Sequence, residues 1–211
     1  HDAYGVTHDV PVYETYTGSD TSLITGALAK LANALTNSRQ FGAAIKAANE
    51  MQSRFPDHAL TINTYYFEAN AYFQQKKYAS ARKIFSQIIK LGKSKQLTEI
   101  AYYQRGDTYY FAKQYEAAIA EYGKYYKRYP KGQYAPRAIY MQANCYVSLQ
   151  DFAKAKAKFL KLVNSYPSFA EICVAKNYLA YSLNRLDEWK TAMKYYSQVL
   201  KGNCKKEARD F

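Results

Sequence analysis

Large apolar and small residues follow one another along this chain with a spacing that returns every 37 residues. An aromatic ring recurs at Phe41, Tyr78, Tyr115, Phe152 and Trp189, followed three residues later by Ala44, Ala81, Ala118, Ala155 and Ala192. Another column runs through Ala48, Phe85, Tyr122, Phe159 and Tyr196. Upstream in the same frame, Ala32, Ala69, Gly106, Ala143 and Ala180 are small, and Leu35, Tyr72, Tyr109, Tyr146 and Leu183 are large. Steps of three and four residues put each set on one face of an α-helix. Each unit therefore reads as two amphipathic helices, A and B. The small residues let the pair approach closely, and the rings fill the gap to the next pair. Pro56, Pro130 and Pro167 stand where helix B should stop, because proline lacks the amide donor and clashes with the preceding turn.

This order of small, aromatic, alanine, aromatic and proline, in five copies over about residues 25–206, resembles the tetratricopeptide (TPR) family. The unit exceeds that family's usual roughly 34 residues, and the three added residues fall in linkers such as Lys131-Gly132-Gln133. Longer units of this kind look like those of bacterial envelope TPR proteins, including outer-membrane assembly lipoproteins and the periplasmic coordinators of the Tol-Pal system. The expected fold is all-α, an α-α superhelix (solenoid) of five 37-residue helix hairpins. The repeats lie near residues 25–58, 62–95, 99–132, 136–169 and 173–206, preceded by an extended arm over 1–24 and followed by a tail over 207–211.

The arm is unlike the repeats. Val6, His8, Val10 and Val12 alternate with Thr7, Asp9 and Pro11, which suits an extended segment better than a helix. Asp2, Asp9, Glu14 and Asp20 make it acidic, with no Lys or Arg; the 30 Lys and Arg against the 13 remaining acids leave the rest of the chain at +17. An acidic arm on a basic body is expected to dock, either on its own solenoid or in the groove of the next molecule.

The resemblance implies that helix A lines a concave surface and that the residue after the small position contacts an extended peptide. Here that column reads Asn33, Asn70, Asp107, Asn144 and Tyr181. Carboxamides carry both donor and acceptor, so they can grip a backbone in either direction. Tyr66, Tyr103 and Tyr140 lie four residues earlier, on the same helical face. The ladder can grip a partner segment, and it can equally hydrogen-bond and pack between helices.

At the ends, Leu28 and Leu31 begin the stack, and Tyr196, Val199 and Leu200 sit where a following helix would pack. Two uncapped apolar ends on one solenoid favour head-to-tail joining, reinforced by the arm through Val6, Val10 and Val12. Cys173 and Cys204 flank the last hairpin at ends that an antiparallel pair brings together, which makes them a disulfide candidate. Cys145 takes a position held elsewhere by Ala34, Ala71, Thr108 and Ser182, so it is expected to be a buried free thiol.

Export is expected, because the numbered chain begins at His1 as a mature product would. The location is then extracellular or the cell surface, alternatively the periplasm. There is no run of about 18 apolar residues to span a membrane. The three histidines, with no glycine-rich phosphate loop, HExxH or GxSxG, argue against an enzyme, and no cofactor is expected. His1-Asp2 and His8-Asp9 carry ligand-type side chains, but no third histidine is near them and no metal site is assigned. The charge of +13 fits an anionic glycan as a partner; nucleic acid is disfavoured, because the lysines are spread over many helix B positions and no recognition motif is present. The sequence thus reads as a non-enzymatic TPR protein whose partner is itself, in a head-to-tail fibre. The alternatives are a periplasmic adaptor for other envelope proteins and a basic glycan- or nucleic-acid-binding module.

Overall fold

A computed structural model of the chain describes residues 20–201. The described residues form ten α-helices and no strand: α1 Thr21–Asn37, α2 Phe41–Arg54, α3 Thr61–Gln74, α4 Tyr78–Leu91, α5 Lys95–Phe111, α6 Tyr115–Arg128, α7 Ala135–Ser148, α8 Phe152–Ser165, α9 Ile172–Arg185 and α10 Trp189–Lys201. Odd-numbered helices are the expected A helices, and even-numbered ones begin at the repeating aromatic. Helices α2, α6 and α8 end two residues before Pro56, Pro130 and Pro167. Helix α4 lacks such a proline and stops instead at Gly92, whose φ of +60° suits a residue without Cβ.

Two starts differ from the sequence reading. Helix α1 begins at Thr21, so residues 21–24 belong to a helix and not to the extended arm. The cause is Asp20, whose carboxylate accepts hydrogen bonds from the Ser22 and Leu23 amides and caps the first turn despite the hydroxyl-rich stretch around it. Helix α5 starts at Lys95, four residues before the anticipated 99.

Every A-to-B turn has the same backbone. Arg39, Lys76, Lys113, Gln150 and Asp187 all lie in the left-handed region, with φ between 58° and 63°. The residue after each donates its amide to a carbonyl five positions back: Gln40 to Leu35, Lys77 to Tyr72, Gln114 to Tyr109, Asp151 to Tyr146 and Glu188 to Leu183, at 2.9–3.0 Å. Those acceptors are the large residues of the repeating column. None of the five left-handed residues is glycine, so each carries a conformational cost of about 1 kcal/mol that the turn's hydrogen bonds offset.

The chain divides into two compact units, residues 1–97 and 98–211. In the first, α1 packs on α2 and α3, α2 on α3, and α3 on α4. One cluster of its core is mainly alanine, with Ala32, Ala44, Ala47, Ala48 and Ala71 sealed by Leu35 and the half-buried Phe41 and Phe67, and Met51, Phe85 and Ile88 are fully buried as well. In the second, α6 packs on α7, α7 on α8, α8 on α9 and α9 on α10. There the core is aromatic: Tyr103, Tyr122 and Tyr125 in one cluster, and Phe159 with Leu162, Leu179 and Leu183 in the other. Tyrosine in a core needs partners for its hydroxyl, and supplying them shapes the site described next.

The linker after α6 illustrates the point. Tyr125 donates its hydroxyl to Glu99 Oε1 at 2.7 Å and accepts from the Tyr134 amide at 3.0 Å, and the same Glu99 oxygen accepts from the Gln133 amide at 3.0 Å. A Cβ on Gly132 would fall 2.5 Å from the Tyr125 hydroxyl, so this linker residue has to be glycine. The three added residues 131–133 are thereby pinned to the start of α5.

Candidate functional site

The site in the second unit starts from two residues of α5. Tyr103 and Asp107 are one helical turn apart and share a face. Asp107 accepts a hydrogen bond from the Tyr122 hydroxyl of α6 at 2.5 Å. That approach depends on Gly106, where the other repeats carry alanine: an added Cβ would sit 2.6 Å from Tyr122 Cε1. Glycine in the small column, an acid in the carboxamide column and a hydroxyl on the buried ring therefore occur together in one repeat.

Tyr103 lies beneath this pair, only 5% exposed. It stacks on Tyr134 at 4.9 Å between centroids with the planes 12° apart, and meets Tyr125 edge-on at 5.9 Å. Tyr103 and Asp107 share a hydrogen bond, and the Arg137 guanidinium of α7 reaches the Tyr103 hydroxyl. Arg137 in turn pairs with Glu171, the residue preceding α9, at 2.5 Å. A polar chain, Tyr122, Asp107, Tyr103, Arg137 and Glu171, thus ties α6, α5, α7 and the start of α9.

Burial dominates its electrostatics. It raises the Asp107 carboxyl to about 6, against hydrogen bonds from Tyr122 and Tyr103 and the charge of Arg137, which act to lower it. Burial, and then the charge of Asp107, push the Tyr103 and Tyr122 hydroxyls well above the ordinary phenol range. Cys145, the buried free cysteine, is raised to about 12 mainly by burial.

Further along α7, Tyr140 and Asn144 are again one turn apart. The Asn144 side chain hydrogen-bonds the Tyr140 hydroxyl, yet its Oδ1 is buried without a hydrogen-bond partner. A buried amide oxygen left unpaired costs on the order of 1–3 kcal/mol, so a side-chain rotation that brings it to a donor would be favoured. The half-buried Tyr140 ring packs against Phe159 and Phe169 at 6.2 and 5.7 Å.

In the first unit, Asn70 lines a polar cleft of about 360 Å³ with Thr36, Asn37, Arg39, Phe41 and Gln74. Asn33 is exposed and accepts a 3.3 Å hydrogen bond from Asn37. Tyr66 is half-buried beside Phe67, 6.2 Å between centroids. The ladder residues are therefore of two kinds: Tyr103 is core and Asp107 is already engaged within the chain, whereas Asn33, Asn70, Asn144, Tyr66 and Tyr140 retain exposed or half-buried surface. Tyr122, Arg137 and Glu171 were not among the sequence candidates. Glycine at 106 and the acid at 107, each alone in its column, were the available signal.

The anticipated ends are also uneven. Leu28 is buried, because the start of α1 packs into the α2 and α3 hairpins, and Leu31 is half-buried; the exposed apolar residue on α1 is Leu23. On α10, Tyr196 and Val199 are half-buried, while Leu200, Trp189 and Met193 are 74%, 60% and 60% exposed. Val6, Val10, Val12 and Cys204 lie outside the described residues, so the arm contacts and the Cys173–Cys204 pairing remain sequence expectations. Among the described residues there is no group of three or more His, Cys, Asp or Glu that could hold a metal ion, and no helix long and apolar enough to cross a membrane.

Two family models, both described as tetratricopeptide repeat, match residues 66–136 and 137–168. No curated protein matches the sequence. Among solved structures, a MamA protein is similar with a TM-score of 0.70 at 17% identity, covering 90% of this chain and 97% of that one. MamA from Desulfovibrio magneticus RS-1, residue 41 to the end, gives 0.69 at 18% identity, covering 89% and 98%. TPR-like repeats of a Podospora anserina kinesin-light-chain sequence give 0.66 at 12% identity, covering 87% and 96%. Likeness at these identities concerns the fold.

Proposed function

We propose, for a chain that belongs to the tetratricopeptide-repeat family, a non-enzymatic scaffold that binds an extended protein segment across α5, α7 and α9. The observation that carries this reading is the buried, unpartnered Asn144 Oδ1 beside the Tyr140 hydroxyl. Turned outward, the side chain of the half-buried Asn144 would let a backbone amide of an extended segment satisfy that oxygen, and the Arg137–Glu171 pair near Tyr140 offers both charges to flanking groups. Panning a random peptide library on the full chain, then measuring the selected peptides by fluorescence polarisation, tests the reading. The Asn144→Ala variant should lose at least tenfold in affinity, about 1.4 kcal/mol. Unchanged affinity would refute the clamp.

A second reading is favoured by the exposed Trp189, Met193 and Leu200 on α10. Such a surface suits head-to-tail association of copies into an extracellular or surface fibre, with the acidic segment of residues 1–19 entering the basic body of the next subunit. Export, and with it a Cys173–Cys204 disulfide, belongs to this reading; the rival location is the periplasm, with another envelope protein as partner. Light scattering over a concentration series separates them. Polymers that vanish on deleting residues 1–19, which leaves α1 and its Asp20 cap intact, support the fibre, and a 24.2 kDa monomer at every concentration rejects it.

A further inference from the structure

Three positions recur where each A helix meets the B helix that follows it. In the third repeat they are Arg105, Glu121 and Lys124, and they neutralise one another: Glu121 takes Arg105 at 2.6 Å and Lys124 at 2.7 Å. In the fourth repeat the same positions are Gln142, Lys158 and Lys161. The central acid has become a lysine, and the outer cation remains.

The result is a built but unneutralised pair of cations. Gln142 is 5% exposed; its Nε2 donates to the Ile119 carbonyl at 2.8 Å, and its Oε1 accepts from Lys158 Nζ at 2.8 Å. Close packing fixes this amide, since even a Cβ on Gly123 would come within 3.2 Å of its Nε2. Lys158 is therefore held in place from below. Lys161 Nζ sits 4.2 Å from the centroid of the Tyr126 ring, and the Tyr126 and Tyr166 hydroxyls are within hydrogen-bonding reach of each other.

Neither lysine has a carboxylate partner among the described residues, whereas Lys154 and Lys156 of the same helix pair with Asp151 and Glu188. The strain shows in the titration directions. Burial, and then the charge of Lys161, lower the Lys158 ammonium, while the hydrogen bond with Tyr166 and the charges of both lysines lower the Tyr126 phenol. An added negative charge would relieve both effects.

We propose that Lys158, Lys161 and Tyr126 form a binding site for a phosphate- or sulfate-type oxyanion. Two ammonium groups match a dianion better than a single carboxylate, and the Tyr126 hydroxyl supplies a further donor to its oxygens, while the Tyr166 hydroxyl donates to the Pro130 carbonyl at 3.3 Å. The site lies on α6 and α8, and it does not use Asn144 or Asp107. The anion could be free or esterified to a small molecule.

Inorganic phosphate, sulfate, acetate and glycerol 3-phosphate are titrated into the full chain, followed by NMR with Tyr ring carbons and Lys ε-carbons labelled. Expected are saturable shifts of Tyr126 and Lys161 with phosphate and sulfate, with a dissociation constant of about 1 mM, and at least tenfold weaker binding of acetate. Tighter binding of glycerol 3-phosphate than of phosphate would indicate an esterified ligand, and the reverse a free one. Lys161→Gln, an exposed change compatible with folding, should weaken phosphate at least tenfold, and Lys158→Gln with Lys161→Gln should abolish saturation. Lys154→Gln should change nothing. An equal response from Lys154→Gln and Lys161→Gln would mean general attraction to a basic protein, and it would overturn the site, as would a linear response in the wild type.

Discussion

Replacing Asp107 with asparagine should flatten the dependence of stability on pH between 5 and 7. The carboxyl rises from an ordinary 3.8 to about 6 in the folded chain, chiefly through burial. Folding therefore favours its protonated form. The stabilisation this provides is complete below pH 3.8 and is lost as pH rises through 6. Two pKa units correspond to roughly 3 kcal/mol in all, of which lowering the pH from 7 to 5 should recover about 1 kcal/mol. Asparagine keeps an oxygen for the Tyr122 hydroxyl and has nothing to titrate. Glu68, also raised by burial, is present in both proteins and cancels in the difference. Urea denaturation of wild type and variant at pH 5, 6 and 7, at constant ionic strength, measures the effect. The variant's advantage should grow with pH by about 1 kcal/mol across that range. Parallel curves, or an Asp107 carboxyl carbon that titrates near 4 by NMR, would refute the account of a buried, neutral-preferring acid.

Other perturbations follow from the packing. Gly106→Ala drives a methyl into the Tyr122 ring and should cost about 1–3 kcal/mol in thermal denaturation, whereas Gly26→Ala, with open space around its Cβ in α1, should gain about 0.5–1 kcal/mol. Gln150→Gly should stabilise by about 0.5–1 kcal/mol, because the left-handed turn no longer opposes a Cβ; equal or lower stability in urea would count against it. Glu99→Ala leaves the Tyr125 hydroxyl and the Gln133 amide without their acceptor and should cost about 1–3 kcal/mol, with faster hydrogen exchange at Gln133. Thiol titration of the native, non-reduced protein should find Cys145 unreactive until unfolding, and non-reducing peptide mapping should recover Cys173 linked to Cys204; a separate Cys204 peptide would dismiss the pairing.

The helix pairs were legible in the sequence because the 37-residue spacing brings residues of like size to most contacts, and the prolines mark three ends. The turns were not. Arg39, Lys76, Lys113, Gln150 and Asp187 carry no common signature, since the left-handed backbone there follows from carbonyls such as those of Leu35 and Tyr109. The carboxamide column located Asn70 and Asn144, but reading Asp107 as one more rung overlooked its partner. Tyr122 belongs to a different column, sixteen residues from Gly106, and only packing puts its hydroxyl on the carboxylate. Leu28 failed as an exposed end for a related reason: an apolar residue in a first helix reads as uncovered until the second and third helices are seen around it.

Gly106, Asp107 and Tyr122 are best regarded as a single heritable trait. Duplication or exchange of a whole repeat carries all three together, so the unit can travel without harm. A recombination crossover between 107 and 122 separates them. With the second or fourth repeat as the other parent, one product places alanine against a tyrosine that needs its space; the other leaves glycine beside a phenylalanine with the acid unsatisfied. Neither product packs as well as its parents. For exchange with the second or fourth repeat the admissible seams are therefore the linkers, and the middle of the third hairpin is closed to shuffling even though its helices look interchangeable in outline.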